Sequence, residues 1–343
     1  MSAAKITVCI PAYNRPHFLG QALDSLCDQG LTRDEYVIAI SDDASPNDVS
    51  DVITEYKDKL QILYHRNHKN LGHIANFEVA VGLCQTPYVS FLPDDDLIAP
   101  GQLGRSLSAL EKHKRAVLVS SLVIVQEHPG ALTASIHGMF LKASGETSYS
   151  QPYVWDQTEW LALSLLNTPL SWVGSVFNLE CFNQCHLWKS YPLWHDRLML
   201  AEMSLHGEVI SLPWIGGYYR INKQQLSAQL ASNHTDEFDK VTRLILDICE
   251  VEGIPVIEFW KEQICAAVPE MRIHYLRRLK AVLPINTFMD IRRSCEERLN
   301  VNLSLGGRLS HWGIPEPIAE LLRAIERRLS STLYIFQSDK HNI

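Results

Sequence analysis

Apolar runs and polar interruptions alternate along the first hundred residues. Lys5–Ile10 is β-branched and apolar, and it breaks at Pro11-Ala12-Tyr13-Asn14-Arg15-Pro16. Phe18, Leu19, Ala22, Leu23 and Leu26 then recur at helical spacing. Tyr36–Ser41 predicts a second strand that ends in Asp42-Asp43. Val49, Val52, Ile53 and Tyr56 give an amphipathic helix, and Leu60–His65 a third strand. After the polar stretch Asn67–Gly72 come a helix over Ile74–Cys84 and a fourth strand over Tyr88–Leu92, stopped by Pro93. Each of these strands is apolar along its length. That pattern predicts a parallel sheet buried on both faces by its crossover helices. All four strands end in polar residues, so those ends should meet along one edge.

The alternation loosens further on. A helix over Gln102–Lys114 and a strand over Ala116–Val125 precede an irregular stretch, Gln126–Pro152. A segment that long without periodicity is commonly functional. Trp155–Leu166 predicts a helix and Ser171–Asn178 a strand. Leu198–His206 predicts a helix led by His195-Asp196, with Asp196 as N-cap. Val209–Leu212 reads as a short strand, and Gly216–Ile221 as a separate strand or loop. From Asp236 onward helical periodicity dominates. The chain therefore divides into an α/β domain, residues 1–230, and a helical C-terminal region, residues 231–343.

Charge adds a contrast. The net charge of −8 argues against nucleic acid as the main partner. From Met271 onward, however, 12 Lys and Arg face 7 Asp and Glu. Arg272, Arg277, Arg278, Lys280, Arg292, Arg293, Arg323, Arg327 and Arg328 alternate there with apolar residues, the pattern of a basic amphipathic helix. It suits a membrane interface, a helix bundle with a solvated face, or a dimer contact. No apolar run is long enough to span a bilayer and no leader pattern precedes Lys5, so the expectation is a cytoplasmic protein, with membrane association at the inner leaflet through these helices. The eight cysteines are scattered and read as reduced. Cys181 and Cys185, with His186 after them, fit a helix face better than a metal site.

The densest chemistry is Asp94-Asp95-Asp96, directly after the fourth strand. Adjacent carboxylates repel unless a cation sits between them, and a divalent ion with oxygen preference is one candidate. A solvated turn whose Asp caps the following helix is the other.

Several segments, in order, resemble the motifs of GT-A type glycosyltransferases, most nearly the inverting family 2 that serves bacterial surface polysaccharides. Ile10–Arg15 is similar to its first-strand motif, and Ser41-Asp42-Asp43-Ala44-Ser45 to its second-strand aspartate motif. Arg66–Gly72 is similar to the loop before its third helix, and Phe91–Asp96 to its DXD motif. His195-Asp196 resembles the late acidic motif, and Tyr219-Arg220-Ile221-Asn222 with Ser227 the motif that closes the site. The resemblance spans about residues 5 to 228. It implies a Rossmann-like GT-A fold, with residues 1–100 as the nucleotide-binding half and 101–230 as the acceptor side. It also implies sugar transfer from a nucleotide-diphosphate sugar to a glycan or polyprenyl-linked acceptor, as in O-antigen or capsule assembly.

The resemblance implies roles as well. Pro11 and Tyr13 would border the base and ribose, Asp43 would accept from the base, and Asp94 would hold the ribose. Arg15 and Asn70 belong to the same binding set. Asp95 would bind Mg²⁺ or Mn²⁺, Arg220 the diphosphate, and Asp196 would be the catalytic base. Three positions depart from the family pattern. Pro93 stands at the first acidic position of DXD, leaving metal ligation to one protein carboxylate with phosphate oxygens and waters. His195 stands where Glu is frequent, and Asn222 where His is. Trp172 and Trp194 are candidate sugar platforms. Two rivals remain: a non-catalytic nucleotide-sugar or glycan-binding module, and a sugar nucleotidyltransferase. The latter chemistry usually has a Gly-rich loop after the first strand, which is absent from Pro11–Arg15.

Overall fold

The computed structural model describes residues 4–126, 136–137, 151–166, 172–221, 234–267, 269–299 and 303. The alternation in the first hundred residues becomes β1 (Ile6–Ala12), α1 (Pro16–Ser25), β2 (Tyr36–Asp42), α2 (Ser50–Tyr56), β3 (Ile62–Arg66), α3 (His73–Gly82) and β4 (Tyr88–Phe91). β3, β2, β1 and β4 lie side by side in that order, and all their pairings are parallel. β1 and β2 are buried almost throughout, as their unbroken apolar runs require. β3 departs from the expected burial. It is the edge strand among the described residues, with Leu63 and Tyr64 exposed.

The second half continues the same sheet. It comprises β5 (Leu97–Ile98), α4 (Gln102–Lys112), β6 (Ala116–Gln126), β7 (Ile136–His137), β8 (Tyr153–Trp155), α5 (Gln157–Leu166), β9 (Val176–Asn178), α6 (Leu179–Phe182), α7 (His195–Met203) and β10 (Glu208–Arg220). Short β9 runs antiparallel to both β4 and β6 and joins the two halves. β6 and β10 are parallel to one another, while β5 and β8 pair antiparallel with β10. The result is a mostly parallel, mixed sheet with helices packed against it.

Two sequence expectations change here. Trp155 ends strand β8 rather than opening a helix, and its indole N–H donates to Ser211 Oγ at 2.7 Å. Residues 208–220 form one strand, not two segments. Register shifts around Ile215 absorb the Pro213-Trp214 and Gly216-Gly217 interruptions as bulges. Gly216 is required there: a Cβ would lie 2.5 Å from Cβ of Ser121 on β6.

The C-terminal region supplies α8 (His234–Val251), α9 (Val256–Ala266), α10 (Pro269–Val282) and α11 (Ile285–Leu299). Its apolar face joins that of α5 and α7 in one continuous core. Buried Arg197 of α7 ties these elements together. It donates to the carbonyls of Ser164 (through a contact of 2.6 Å), Leu165 and Phe238 and to Thr242 Oγ1, with its guanidinium 4.2 Å from the Phe238 ring centroid. The basic residues are partly engaged as well. Arg272 donates to the carbonyls of Ile264 and Cys265, Arg278 to that of Leu166, and Arg292 pairs with Glu296. Arg323, Arg327 and Arg328 lie outside the described residues, as do most of Gln126–Pro152 and the predicted boundary near 230. Among the described residues no helix is long and apolar enough to cross a membrane.

Candidate active site

The carboxyl ends of the parallel strands meet at one edge through their own ladder. The Asp43 N–H donates to Ala12 O, Asn67 N–H to Asp42 O, and Leu92 N–H to Cys9 O. These bonds gather the segments after β1, β2, β3 and β4 around a cavity of about 610 Å³, the place where open α/β sheets bind ligands. Pro11, Tyr13, Arg15, Asp43, Asn70, Asp94 and Asp95 all line it.

The backbone at this edge adopts unusual conformations. Asn14 and Ala44 both have φ of 57°. Asn tolerates that region, whereas Ala does so at a cost of about 1–2 kcal/mol. Ala44 is held there by its N–H to Asp42 O at 2.9 Å, with Ser45 N–H on Asp42 Oδ1 at 2.9 Å. Asp42 is the structural member of its pair. Fully buried, it takes Tyr64 OH and pairs with Arg66. Asp43 faces the cavity and also anchors the loop before α3. Its carboxylate accepts from Leu71 N–H (2.8 Å), Gly72 N–H (3.0 Å) and Asn67 Nδ2 (3.0 Å).

The cation among the three aspartates is an arginine. Arg15, from the segment after β1, pairs with both Asp94 and Asp95. Asp94 also accepts from the Tyr13 N–H at 3.1 Å. Burial pushes the Asp94 carboxyl up to about 7, against the pull of Arg15. Asp96 is buried too, and burial, reinforced by Asp95, raises it well above the carboxylate range. It accepts from the Arg220 N–H at 2.8 Å, which ties the triplet to the end of β10. The Arg220 guanidinium reaches the backbone oxygens of Asp95 and Asp96 and the Gln21 side chain, above the Phe18 ring. Arg220 thus stands behind the triplet and does not line the cavity.

Among the described residues no three His, Cys, Asp or Glu side chains converge as a metal site. The donor set offers no protein cage. It fits an ion brought by a phosphate ligand and sharing Asp95, since Pro93 supplies no oxygen side chain and Asp96 Oδ1 is engaged by the Arg220 N–H.

Aromatic residues complete the lining. Trp172 stacks on Phe77, centroids 5.0 Å apart at 28°, and lines the cavity. Trp194 does not. It packs edge-on against Phe238, with centroids 4.8 Å apart. Trp160 and Trp188 are core residues. His195 lines the cavity beside Trp172, with ring centroids 4.6 Å apart. Asp196 lies next along α7, about 100° around the helix from His195, and does not line it. Nor is it the N-cap. Trp194 occupies that position, and Asp196 Oδ1 accepts from the Arg197 N–H at 2.7 Å inside the first turn. The loop before α7 is held from α8, where Glu237 Oε1 accepts from Leu193 and Trp194 N–H at 2.6 and 3.1 Å.

Sequence reasoning missed His73 and Asn76. His73 lines the cavity, and its Nε2 lies 3.0 Å from Pro192 O. Asn76, buried at 3% exposure, bonds Ser41 Oγ, Ser41 O and Asn67 Nδ2 and so joins the ends of β2 and β3. A polar residue within the apolar run Ile74–Phe77 was the available signal.

Comparison with known proteins agrees with this geometry. Residues 7–164 match the family model for glycosyl transferase family 2. Abequosyltransferase RfbV of Salmonella typhimurium is 34% identical over 100 residues, 29% of this chain and 30% of that protein. An uncharacterised glycosyltransferase of Nostoc is 26% identical over 246 residues, 68% of this chain and 70% of its own length. The chain thus matches less than a third of the Salmonella protein. In fold, TarS residues 1–349 of Staphylococcus aureus, solved with UDP-GlcNAc, superimposes at a TM-score of 0.56 and 16% identity, covering 90% of this chain and 92% of that one. A mannosyltransferase of Pyrobaculum calidifontis, solved with GDP-Man and Mn²⁺, gives 0.52 at 13% identity, covering 87% and 81%. These likenesses show a GT-A fold followed by helices. Over residues 7–164, a little under half of its length, the chain is similar to glycosyl transferase family 2.

Proposed function

We propose that the protein is an inverting glycosyltransferase that moves a sugar from a nucleotide-diphosphate sugar to a hydroxyl of a glycan or lipid-linked acceptor. The observation that carries this reading is the cavity itself. It is lined by Asp43, Asp94, Asp95 and Arg15 at the strand ends and by Trp172 and His195. Carboxylates suit the N–H groups of a base and the hydroxyls of ribose, and Arg15 suits a diphosphate. Pro11, Tyr13 and Asn70 border the same space. Arg220 would reach the diphosphate by leaving the backbone oxygens it now holds. An aromatic face at Trp172 suits a sugar ring. Mg²⁺ or Mn²⁺, held by Asp95 and the donor's phosphate oxygens, would offset charge on the departing diphosphate. The start of α7 supplies the base that takes the acceptor proton, from Asp196 or His195.

Surface polysaccharide assembly is the process that the relatives' names support, RfbV as an abequosyltransferase and TarS as a poly(ribitol-phosphate) N-acetylglucosaminyltransferase. A cytoplasmic location at a membrane face would suit a lipid-linked acceptor, with exposed Lys280 and Arg293 as contacts for anionic lipid. The test is thermal stabilisation by a panel of nucleotide sugars. Specific binding of one raises the melting temperature with concentration. A shift with nucleoside triphosphates and none with nucleotide sugars would instead favour a nucleotidyltransferase.

A further inference from the structure

His195 lines the cavity at the start of α7, and its ring chemistry is fixed by one carbonyl. Its Nδ1 lies 2.9 Å from Pro192 O, and His73 Nε2 lies 3.0 Å from the same oxygen. A carbonyl oxygen only accepts, and it has two lone pairs. Both imidazole nitrogens therefore carry hydrogen, and in the neutral rings His195 Nε2 and His73 Nδ1 are acceptors. The two rings stand 5.8 Å apart, centroid to centroid. His195 Nε2 has no hydrogen-bond partner among the described residues, and the ring lines the cavity edge-on to Trp172.

Resting on the glycosyltransferase reading, we propose that His195 is the catalytic base of the transfer, with Nε2 as the atom that takes the acceptor proton. The acceptor oxygen attacks the anomeric carbon with a lone pair as the bond from that carbon to the diphosphate oxygen breaks. The electrons of that bond leave with the nucleoside diphosphate. The acceptor proton passes to Nε2, giving an imidazolium that releases it to solvent. Trp172 holds the incoming sugar beside the ring, and Pro192 O holds the tautomer through the reaction, the orienting role a second partner plays for any catalytic His.

The groups facing the ring support this. Desolvation holds His195 down to about 4 and lowers His73, where the neighbouring ring adds to the effect. The His195 ring is then neutral across ordinary working pH, with the lone pair in place. Glu237 is the carboxylate that acts on both rings, and it would favour the imidazolium as it forms. Asp196, one step round α7, is not among the residues that line the cavity.

The test uses the full chain, a panel of UDP-, GDP-, CDP- and dTDP-sugars, and water as acceptor, with nucleoside diphosphate release as the readout. His195→Ala and His195→Gln should each lower kcat by about 100-fold or more, with the donor dissociation constant by calorimetry within about threefold of wild type. Added imidazole should restore His195→Ala at least about tenfold, with a rate that rises as imidazole loses its proton near pH 7. A merely structural His would not be rescued. A loss under tenfold, a loss that imidazole leaves untouched, or loss of donor binding in both variants would overturn the proposal. Asp196→Asn abolishing release beside an active His195→Ala would return the role to the carboxylate. A wild-type protein that neither binds nor cleaves any donor would instead overturn the transferase reading beneath it, a result separable from the others.

Discussion

Replacing Arg15 by Met tests whether an arginine is the resident counter-ion of the acidic triplet. In the wild type, Asp94 lies between burial, which raises it, and Arg15, which lowers it, and it stands at about 7. That is above the unfolded carboxylate value of about 3.9. The native state therefore binds an extra proton between about pH 4 and 7, and stability falls as pH rises through that window. An adjacent arginine lowers a carboxyl by about 1–3 pKa units, so its removal should carry Asp94 further up. In Arg15→Met the decline then continues above pH 7, at about 1.4 kcal/mol per pH unit. The lost pairing with Asp95 and the changed packing add a component that varies little with pH. Urea denaturation at pH 5.5 and 8.5, each against wild type, reads the difference. Destabilisation at pH 8.5 should exceed that at pH 5.5 by about 2 kcal/mol. Equal destabilisation at the two values, or a larger effect at pH 5.5, would refute the assignment of Arg15 as the ion that holds Asp94.

Other perturbations isolate other parts. Asp43→Ala removes the acceptor for Leu71 and Gly72 N–H and should weaken donor binding about tenfold or more by calorimetry, with Asn70 and the loop before α3 losing amide-exchange protection. Arg197→Met leaves the buried carbonyls of Ser164 and Leu165 without their donor and should cost about 3 kcal/mol in urea denaturation. Gly174→Ala places a Cβ 2.6 Å from Gly216 O at a φ of 70° and should lower stability by about 2 kcal/mol in the same assay. Ala44→Gly should raise it by about 1 kcal/mol, since glycine adopts the φ of 57° without strain.

The parallel half was legible because its physics is local. Apolar runs with polar ends, alternating with amphipathic helices, predict parallel strands, and their pairing then brings Tyr13, Asp43 and Asp94 together. What escaped was set by packing between distant segments. β3 looks like its neighbours in sequence, yet it is the edge strand among the described residues, with Leu63 and Tyr64 exposed. Pro213 and Gly216-Gly217 read as breaks, yet β6 carries β10 across them as bulges. The repulsion within Asp94-Asp95-Asp96 was a correct signal that a cation stands there. Nothing local said that Arg15, about 80 residues away in the chain, would be that cation. In His195-Asp196, adjacency in sequence concealed that neighbouring residues of a helix point about 100° apart, so one lines the cavity and the other does not.

The central claim is that the strand-end cavity binds and cleaves a nucleotide-diphosphate sugar. Release of nucleoside diphosphate from a panel of such donors, followed by NMR of the anomeric proton of the released or transferred sugar, tests it most directly. The account predicts turnover of at least one donor, with the anomeric configuration inverted in the first product formed and release lost on Asp43→Ala. Retention of configuration would contradict inversion, and no turnover or binding of any donor would contradict the claim itself.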